Sequence, residues 1–432
     1  MPSARVVVAI FALALALRLA VIFLLHGLWG SEALLIEDSG AYRVAAAEGL
    51  RRADVMPGYL AVLRACEALL SADPLWPVLV QAVIDSLSCL AIAGMAGTLA
   101  PRLAAPAGVL AALNPTQLVM TSLVLTETLF LFFCTLALWA ALAWLRQPRW
   151  QLALAIGLAL GLGILTRAML LPWALVLPLF LLAAAAIARR PVLSALPQIA
   201  AGGAVIACLV LPIAYDNQAR FGGFGLSSQG GTHALFWLVP LVLESVDGTP
   251  HAEGAARMQA RFAESIASDG GPFARSRAMT AAAFEALGEL GPLPLAKAWA
   301  YGAAINVFSP AIILASPVRN LPRTGFFATD GDSKFDKIVT FLFRNDNATY
   351  AWLLLIGAAG TFALRFGQAW GLWRLLRSGD RVVLVSTLLL LAWIGFVLAI
   401  NGPIASAKYR SPAEAAFLVL LAAGLPRKSD HG

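Results

Sequence analysis

The chain has 432 residues, 60% of them hydrophobic and only 13% charged, with a mean hydropathy of +0.80. A soluble domain carries about 25% charged residues, so this composition excludes an ordinary soluble enzyme and marks an integral membrane protein. The formal net charge of +7 does not call for a nucleic-acid partner, because most Arg and Lys sit in short loops between apolar runs, where they set orientation.

The first apolar run, 6–29, exceeds the roughly 20 residues needed to cross about 30 Å of hydrocarbon. It is too long and unbroken for a cleaved signal peptide, and no small-residue cleavage site follows, so it reads as a retained span. Further spans are expected at 77–99, 104–121, 123–145, 151–167, 168–188, 194–215, 349–371, 382–400 and 413–425, the last of them short. The fold class is an all-α polytopic membrane protein, a single integral domain over 1–432. Of the four cysteines, Cys66 lies in a loop and Cys89, Cys134 and Cys208 in spans. With no CxxC or Cys/His spacing, neither a disulfide framework nor a thiolate metal site is indicated. No fixed-period repeat is visible, which weighs against an inverted-repeat transporter. The Ala, Leu and Arg usage suits a bacterium with a GC-rich genome.

Basic loops orient the chain. With the N-terminus in the cytoplasm, the loops RQPRW (146–150), ARRP (188–191) and RLLRSGDR (374–381) fall inside, as does the tail 426–432. The loop 30–76 and the long segment 216–348 fall on the extracytoplasmic side. The apolar stretch 296–316 is a candidate eleventh span. Crossing there would flip the Arg-rich 374–381 loop outside, so an interfacial or re-entrant helix is expected instead. Residues 251–291 alternate Ala, Phe and Leu with Arg and Glu at helical spacing, the pattern of amphipathic helices on a membrane surface. Residues 317–348, with Pro, Gly and Asp, read as a loop.

The loop 30–76 holds IEDSGAY, with Glu37 and Asp38 adjacent. Two short helices are expected there, the second placing Tyr59, Leu60, Leu63, Cys66 and Leu70 on one apolar face. A carboxylate at such an interface serves as a general base or metal ligand. The structural alternative is a cap, with Asp38 or Ser39 starting a helix near Gly40. Three other turns fall on the same face: Glu127 in TETLF, Arg167 in LTRAM, and Lys408, Tyr409 and Arg410 in SAKYRSP. Cations near carboxylates around an apolar interior suit a lipid-linked phosphate: Arg and Lys grip phosphate while an acid takes a proton from an acceptor. Taken singly, each cation is more simply a headgroup contact or a snorkelling side chain.

The order of these motifs resembles the GT-C glycosyltransferases that use polyprenyl-phosphate sugars, similar to dolichyl-phosphate-mannose protein mannosyltransferases and aminoarabinose transferases. The resemblance rests on Glu37-Asp38 followed by Tyr42, on Met56-Pro57-Gly58-Tyr59, on Thr126-Glu127, on Thr166-Arg167 and on Tyr409-Arg410-Ser411-Pro412. Each motif is short, and the Glu-Asp order departs from the more usual Asp-Glu or Asp-Asp. The resemblance implies a bundle of about 10–11 transmembrane helices with amphipathic helices in its external loops. It implies inverting transfer from a polyprenyl-phosphate-linked sugar to a lipid, glycan or protein acceptor, at the outer face of a bacterial inner membrane. Asp38 then stands at the proposed base, with Glu37 assisting or sharing a divalent cation, Mg²⁺ or Mn²⁺. Lys408 and Arg410 meet the donor phosphate, and Tyr42, Tyr59, Glu127, Arg167 and Tyr409 line the substrate.

Arg18 and Asp85 fall at similar depth in the first two spans and are expected to pair, since a lone charge there is expensive. His233 and His251 lack any metal spacing, SSQGGT (227–232) is a flexible external turn, and Asn347-Ala348-Thr349 matches a sequon by chance in a bacterium. Two other readings compete. A flippase of lipid-linked intermediates needs charges along a path between the faces, and an O-antigen-ligase-like enzyme would press His233 and Arg257 into service.

Overall fold

The computed structural model describes residues 3–187, 192–267, 270–322, 329–344 and 348–426. Among them there is no strand. The chain runs through α1 (Ala4–Trp29), α2 (Glu37–Glu48), α3 (Pro57–Leu69), α4 (Leu75–Leu99), α5 (Ala104–Ala112), α6 (Pro115–Thr121), α7 (Glu127–Arg146), α8 (Trp150–Thr166), α9 (Leu171–Ile187) and α10 (Val192–Phe221). A middle section follows: α11 (Gln229–His233), α12 (Val239–Asp247), α13 (His251–Arg261), α14 (Ala263–Ile266), α15 (Gly271–Leu290), α16 (Pro292–Phe308), α17 (Ser316–Arg319) and α18 (Lys334–Val339). The chain closes with α19 (Ala348–Leu376), α20 (Arg381–Asn401), α21 (Ala407–Arg410) and α22 (Glu414–Gly424).

Seven helices among the described residues are long and apolar enough to cross a membrane, and α5 with α6 makes an eighth as a pair bent by 51°. Asn114 causes the bend: its side chain accepts from the N–H groups of Thr116 and Gln117, capping a new helix that starts on Pro115. The 17-residue α8 is shorter but apolar throughout. Ten spans were expected; the last, expected to be short, is α22, whose 11 residues reach ~16 Å and which is not among the helices long enough to cross by themselves. It is buried along its length against α19, where Gly371 allows the backbones to meet at Leu420. α7 is the most enclosed span, 72% of its apolar window being buried, and it forms the axis around which α4, α8 and α20 pack.

Arg18 and Asp85 pair as expected, Nε to Oδ2 at 2.6 Å with side chains 0% and 1% exposed. Gln117 and Thr121 also donate to Asp85, each at 3.0 Å, and Arg18 donates to the carbonyls of Ala14, Ala111 and Ala112. The pair thus ties α1 and α4 to the bent pair with its hydrogen-bonding groups engaged.

The segment 251–291 folds as α13, α14 and α15, which bury their apolar faces against one another and against α12 around Leu235, Val242, Met258, Phe262 and Leu287. α16 is one helix ended by Ser309-Pro310, and it is not among the helices long and apolar enough to cross. Gly302 lets it press on the backbone of Gly402. The 317–348 stretch is partly helical, in α17 and α18. The loop 188–191, most of the tail and Asn347 of the sequon lie outside the described residues.

Candidate active site

Four segments far apart in sequence meet at one end of the bundle: the start of α2, the start of α7, the end of α8 and the turn around α21. The acidic pair is not a cap. α2 begins at Glu37 itself, with Ile36 as its N-cap, so both carboxylates occupy the first turn, where the helix dipole favours negative charge. Ser39 does the local holding. Its Oγ accepts from the Ile36 N–H at 3.0 Å and donates to the Val124 carbonyl at 2.8 Å. That second bond fastens α2 to the turn before Glu127.

Asp38 faces inward. Its Oδ2 accepts from Lys408 Nζ at 2.6 Å, across 370 residues of sequence, while Oδ1 has no hydrogen-bond partner among the described residues. Glu37 is exposed and makes no hydrogen bond or ion pair with the described residues. Burial works against the Lys408 ammonium, but Glu127, Tyr409 and Asp38 outweigh it and hold the pKa above the ordinary lysine value.

Beside this pair lies a second. Arg167 Nη1 donates to Glu127 Oε1 at 2.6 Å and to Thr126 Oγ1 at 3.3 Å. Glu127 is buried, whereas Arg167 keeps 22% of its side chain exposed. The approach of α3 to this end of α8 explains the Pro-Gly-Tyr motif. Pro57 starts α3 at a position that needs no N–H donor. A Cβ on Gly58 would lie 2.7 Å from the Leu165 carbonyl oxygen. Tyr59 then reaches inward, fully buried, donating to Gln81 Oε1 at 2.7 Å and meeting Tyr42 edge-to-face at 5.6 Å. Burial raises the Tyr42 phenol, with Arg167 opposing and Glu127 adding. Tyr42 therefore acts as a neutral hydroxyl, and Tyr59, its own hydroxyl engaged, is a support behind it.

Tyr409 is half-buried with Lys408 Nζ 5.0 Å from its ring centroid. Arg410, expected on the donor phosphate, points away into the protein. It is 2% exposed, its Nε bonds Glu414 Oε1 at 2.6 Å, and its Nη1 bonds the carbonyls that end α16. Nη2 donates to Thr116 Oγ1 at 3.1 Å. Engaged through all three of its nitrogens, Arg410 is a clamp that holds the 401–414 segment against α16 and α6.

His233 was anticipated as a site residue only in the O-antigen-ligase-like reading, with Arg257 beside it. It ends α11, within electrostatic reach of Arg167, Asp38 and Lys408. The turn before it is anchored to the first external loop, the Ser228 N–H donating to the Ala53 carbonyl at 2.7 Å and the Ser227 hydroxyl to the Asp54 carbonyl at 2.6 Å. His233 is exposed at the surface, but the protein packed around it partly desolvates the imidazole and lowers its pKa. Arg167 and Lys408 lower it further, while Asp38 opposes. The only signal in the sequence is its place after the flexible SSQGGT turn. Arg257, its supposed companion, is bound instead to Glu253 at 2.6 Å on the surface.

Lys408 already brings a positive charge onto Asp38, and no cluster of three His, Cys, Asp or Glu side chains stands there among the described residues.

The family described as dolichyl-phosphate-mannose-protein mannosyltransferase matches residues 54–215. That stretch carries the Pro-Gly-Tyr, Thr-Glu and Thr-Arg motifs. No curated protein matches the chain by sequence. Among solved structures, the chain is similar to the oligosaccharyltransferase AglB from the archaeon Archaeoglobus fulgidus, captured with an inhibitory peptide and a dolichol-phosphate. The TM-score is 0.55 at 15% identity, over 96% of this chain and 50% of AglB. The chain therefore spans about half the length of AglB. ArnT from Cupriavidus metallidurans superposes with TM-scores of 0.40 in its apo state and 0.41 bound to undecaprenyl phosphate. Identities are 17% and 18%, over 96% and 97% of this chain and 76% and 77% of ArnT. The chain shares its overall fold with AglB, and its residues 54–215 match the mannosyltransferase family model.

Proposed function

We propose that this protein is a glycosyltransferase that moves a sugar from a polyprenyl-phosphate donor to an acceptor hydroxyl, with Asp38 as general base. The observation that carries this reading is the Asp38–Lys408 contact at 2.6 Å beside the Glu127–Arg167 pair. It joins a base to two cations, as transfer from a phosphosugar requires. The acceptor oxygen attacks the anomeric carbon as the bond from that carbon to the phosphate oxygen breaks. The acceptor proton passes to Asp38, and the bonding pair leaves with the phosphate, whose growing charge Lys408 and Arg167 offset. Tyr42 and Tyr409 flank the sugar. AglB, which shares the fold, holds a dolichol-phosphate, and the name of the matching family also includes a dolichyl-phosphate sugar. Both support a lipid-linked donor here.

The site lies at the outer face of a bacterial inner membrane in this reading. Arg146, Arg149, Arg374, Arg377 and Arg381 stand at the far ends of α7, α8, α19 and α20, which supports a cytoplasmic assignment for that end. No step is routed through a metal, because Lys408 supplies the charge that a cation at Asp38 would bring. The flippase alternative gains no support, since Arg18 and Asp85 are sealed in their own pair rather than lining a path.

The test is mass spectrometry of envelope glycans and lipids from a deletion strain complemented with wild type, Asp38→Asn or Lys408→Met. Loss of a base costs about 10²- to 10⁴-fold, so Asp38→Asn should reach the membrane and leave the missing sugar unrestored. Full restoration by both variants would refute the reading.

A further inference from the structure

A groove of about 1230 Å³ runs along α7 between α4 and α8, at the other end of the bundle from Asp38, and no residue of the candidate site lines it. That exceeds the roughly 300–1,000 Å³ of a typical ligand cleft. Its upper wall begins at Phe133, and it extends along α7 to Gln147, about 21 Å at 1.5 Å per residue. That is longer than the ~15 Å of one leaflet's hydrocarbon. Small residues make the room: Gly94, Ala140 and Ala155 face it, and Gly94 is where Trp139 lies against the α4 backbone.

The groove is apolar until its mouth, where the chemistry changes. Arg146 and Arg149 line the opening. Arg149 is exposed and donates to Gln147 Oε1 at 2.8 Å. It is also the N-cap of α8, with no side-chain cap on that helix, so the positive end of the α8 dipole opens at the same place. Asp380, the acid at the mouth, is taken up in capping α20 through the N–H groups of Val382 and Val383. Inside a bilayer an apolar groove has no hydrophobic preference for one occupant, so selectivity rests on the charged mouth.

We propose that this groove binds an anionic phospholipid of the leaflet opposite the candidate site, its acyl chain along α7 and its phosphate on Arg149 and the start of α8, beside Arg146, which also holds the Leu99 carbonyl at 2.7 Å. The donor lipid fits it poorly: with its phosphate at Arg167, its apolar tail would have to end among arginines and glutamines.

The experiment is native mass spectrometry of the purified full-length protein in detergent, titrated with phosphatidylglycerol or phosphatidylcholine. Phosphatidylglycerol should bind one per chain and survive activation that strips phosphatidylcholine. Arg149→Gln should weaken it about fivefold, the worth of one basic residue against an anionic lipid surface. Ala155→Phe, which fills the groove from an exposed position, should abolish the bound species without changing the unfolding temperature. If Ala155→Phe misfolds, Arg149→Gln alone decides. Equal binding of the two lipids, retention of wild-type affinity by Arg149→Gln, or one-for-one displacement by a polyprenyl phosphate would overturn the proposal.

Discussion

Replacing Arg410 separates a clamp from a phosphate ligand. Its guanidinium makes five hydrogen bonds: one to Glu414, three to the carbonyls of Asn306, Val307 and Ser309, and one to Thr116. Arg410→Ala leaves Glu414, 4% exposed, with Asn114 as its remaining hydrogen-bond partner. Breaking a buried pair in this way costs about 3–5 kcal/mol. Arg410→Lys is the sharper variant. An ammonium has three donors, so at least two of the five acceptors are abandoned, at about 1–3 kcal/mol for each one left unsatisfied. Thermal unfolding in detergent, followed by tryptophan fluorescence, should shift down for Arg410→Lys and further for Arg410→Ala. Glu414→Gln should fall as well, although that residue touches nothing at the site. The reasoning is refuted if Arg410→Lys unfolds like wild type and only the apparent affinity for donor suffers, since that is how a phosphate ligand behaves.

Three other perturbations test the arrangement. Gly58→Ala places a Cβ 2.7 Å from the Leu165 carbonyl oxygen, so α3 must move off α8 and take Arg167 out of register. A loss of about 1–3 kcal/mol is expected, and unchanged stability would show that α3 does not press on α8. Lys408→Met should raise the pKa of His233, because it removes a cation that lowers it and frees Asp38, which raises it. An NMR titration assigned with His233→Gln reads this, and a fall or no change would place His233 away from the site. The depressed folded-state value also means that stability is lost as pH falls below about 6.5, where the unfolded chain binds the proton first. Chelation should leave transfer intact, since Lys408 holds the place of a cation on Asp38. Abolition by EDTA with rescue by Mg²⁺ or Mn²⁺ would reverse that assignment.

Hydropathy alone carried the long spans, because crossing about 30 Å of hydrocarbon demands runs that few other constraints disturb. It is less decisive at α22, whose apolar residues are buried inside the protein rather than in contact with lipid. The two are indistinguishable in a short run. The site shows the same division. Sequence reasoning could place Glu37-Asp38, Glu127, Arg167 and 408–410 on one face from span parity, because each lies at a span end. Nothing in spacing decides direction, however, and the two cations on either side of Tyr409 in SAKYRSP take opposite fates. Lys408 turns toward Asp38 while Arg410 turns toward Glu414, four residues on along the same helical path. The i,i+4 spacing of Arg410 and Glu414 was a readable clue, and an acid at the start of an otherwise apolar helix required a partner. His233 had no such clue, because its place depends on how the 216–348 segment folds back over the first loop through Ser227 and Ser228. A residue delivered by tertiary hydrogen bonds between two external loops leaves no periodic trace in either.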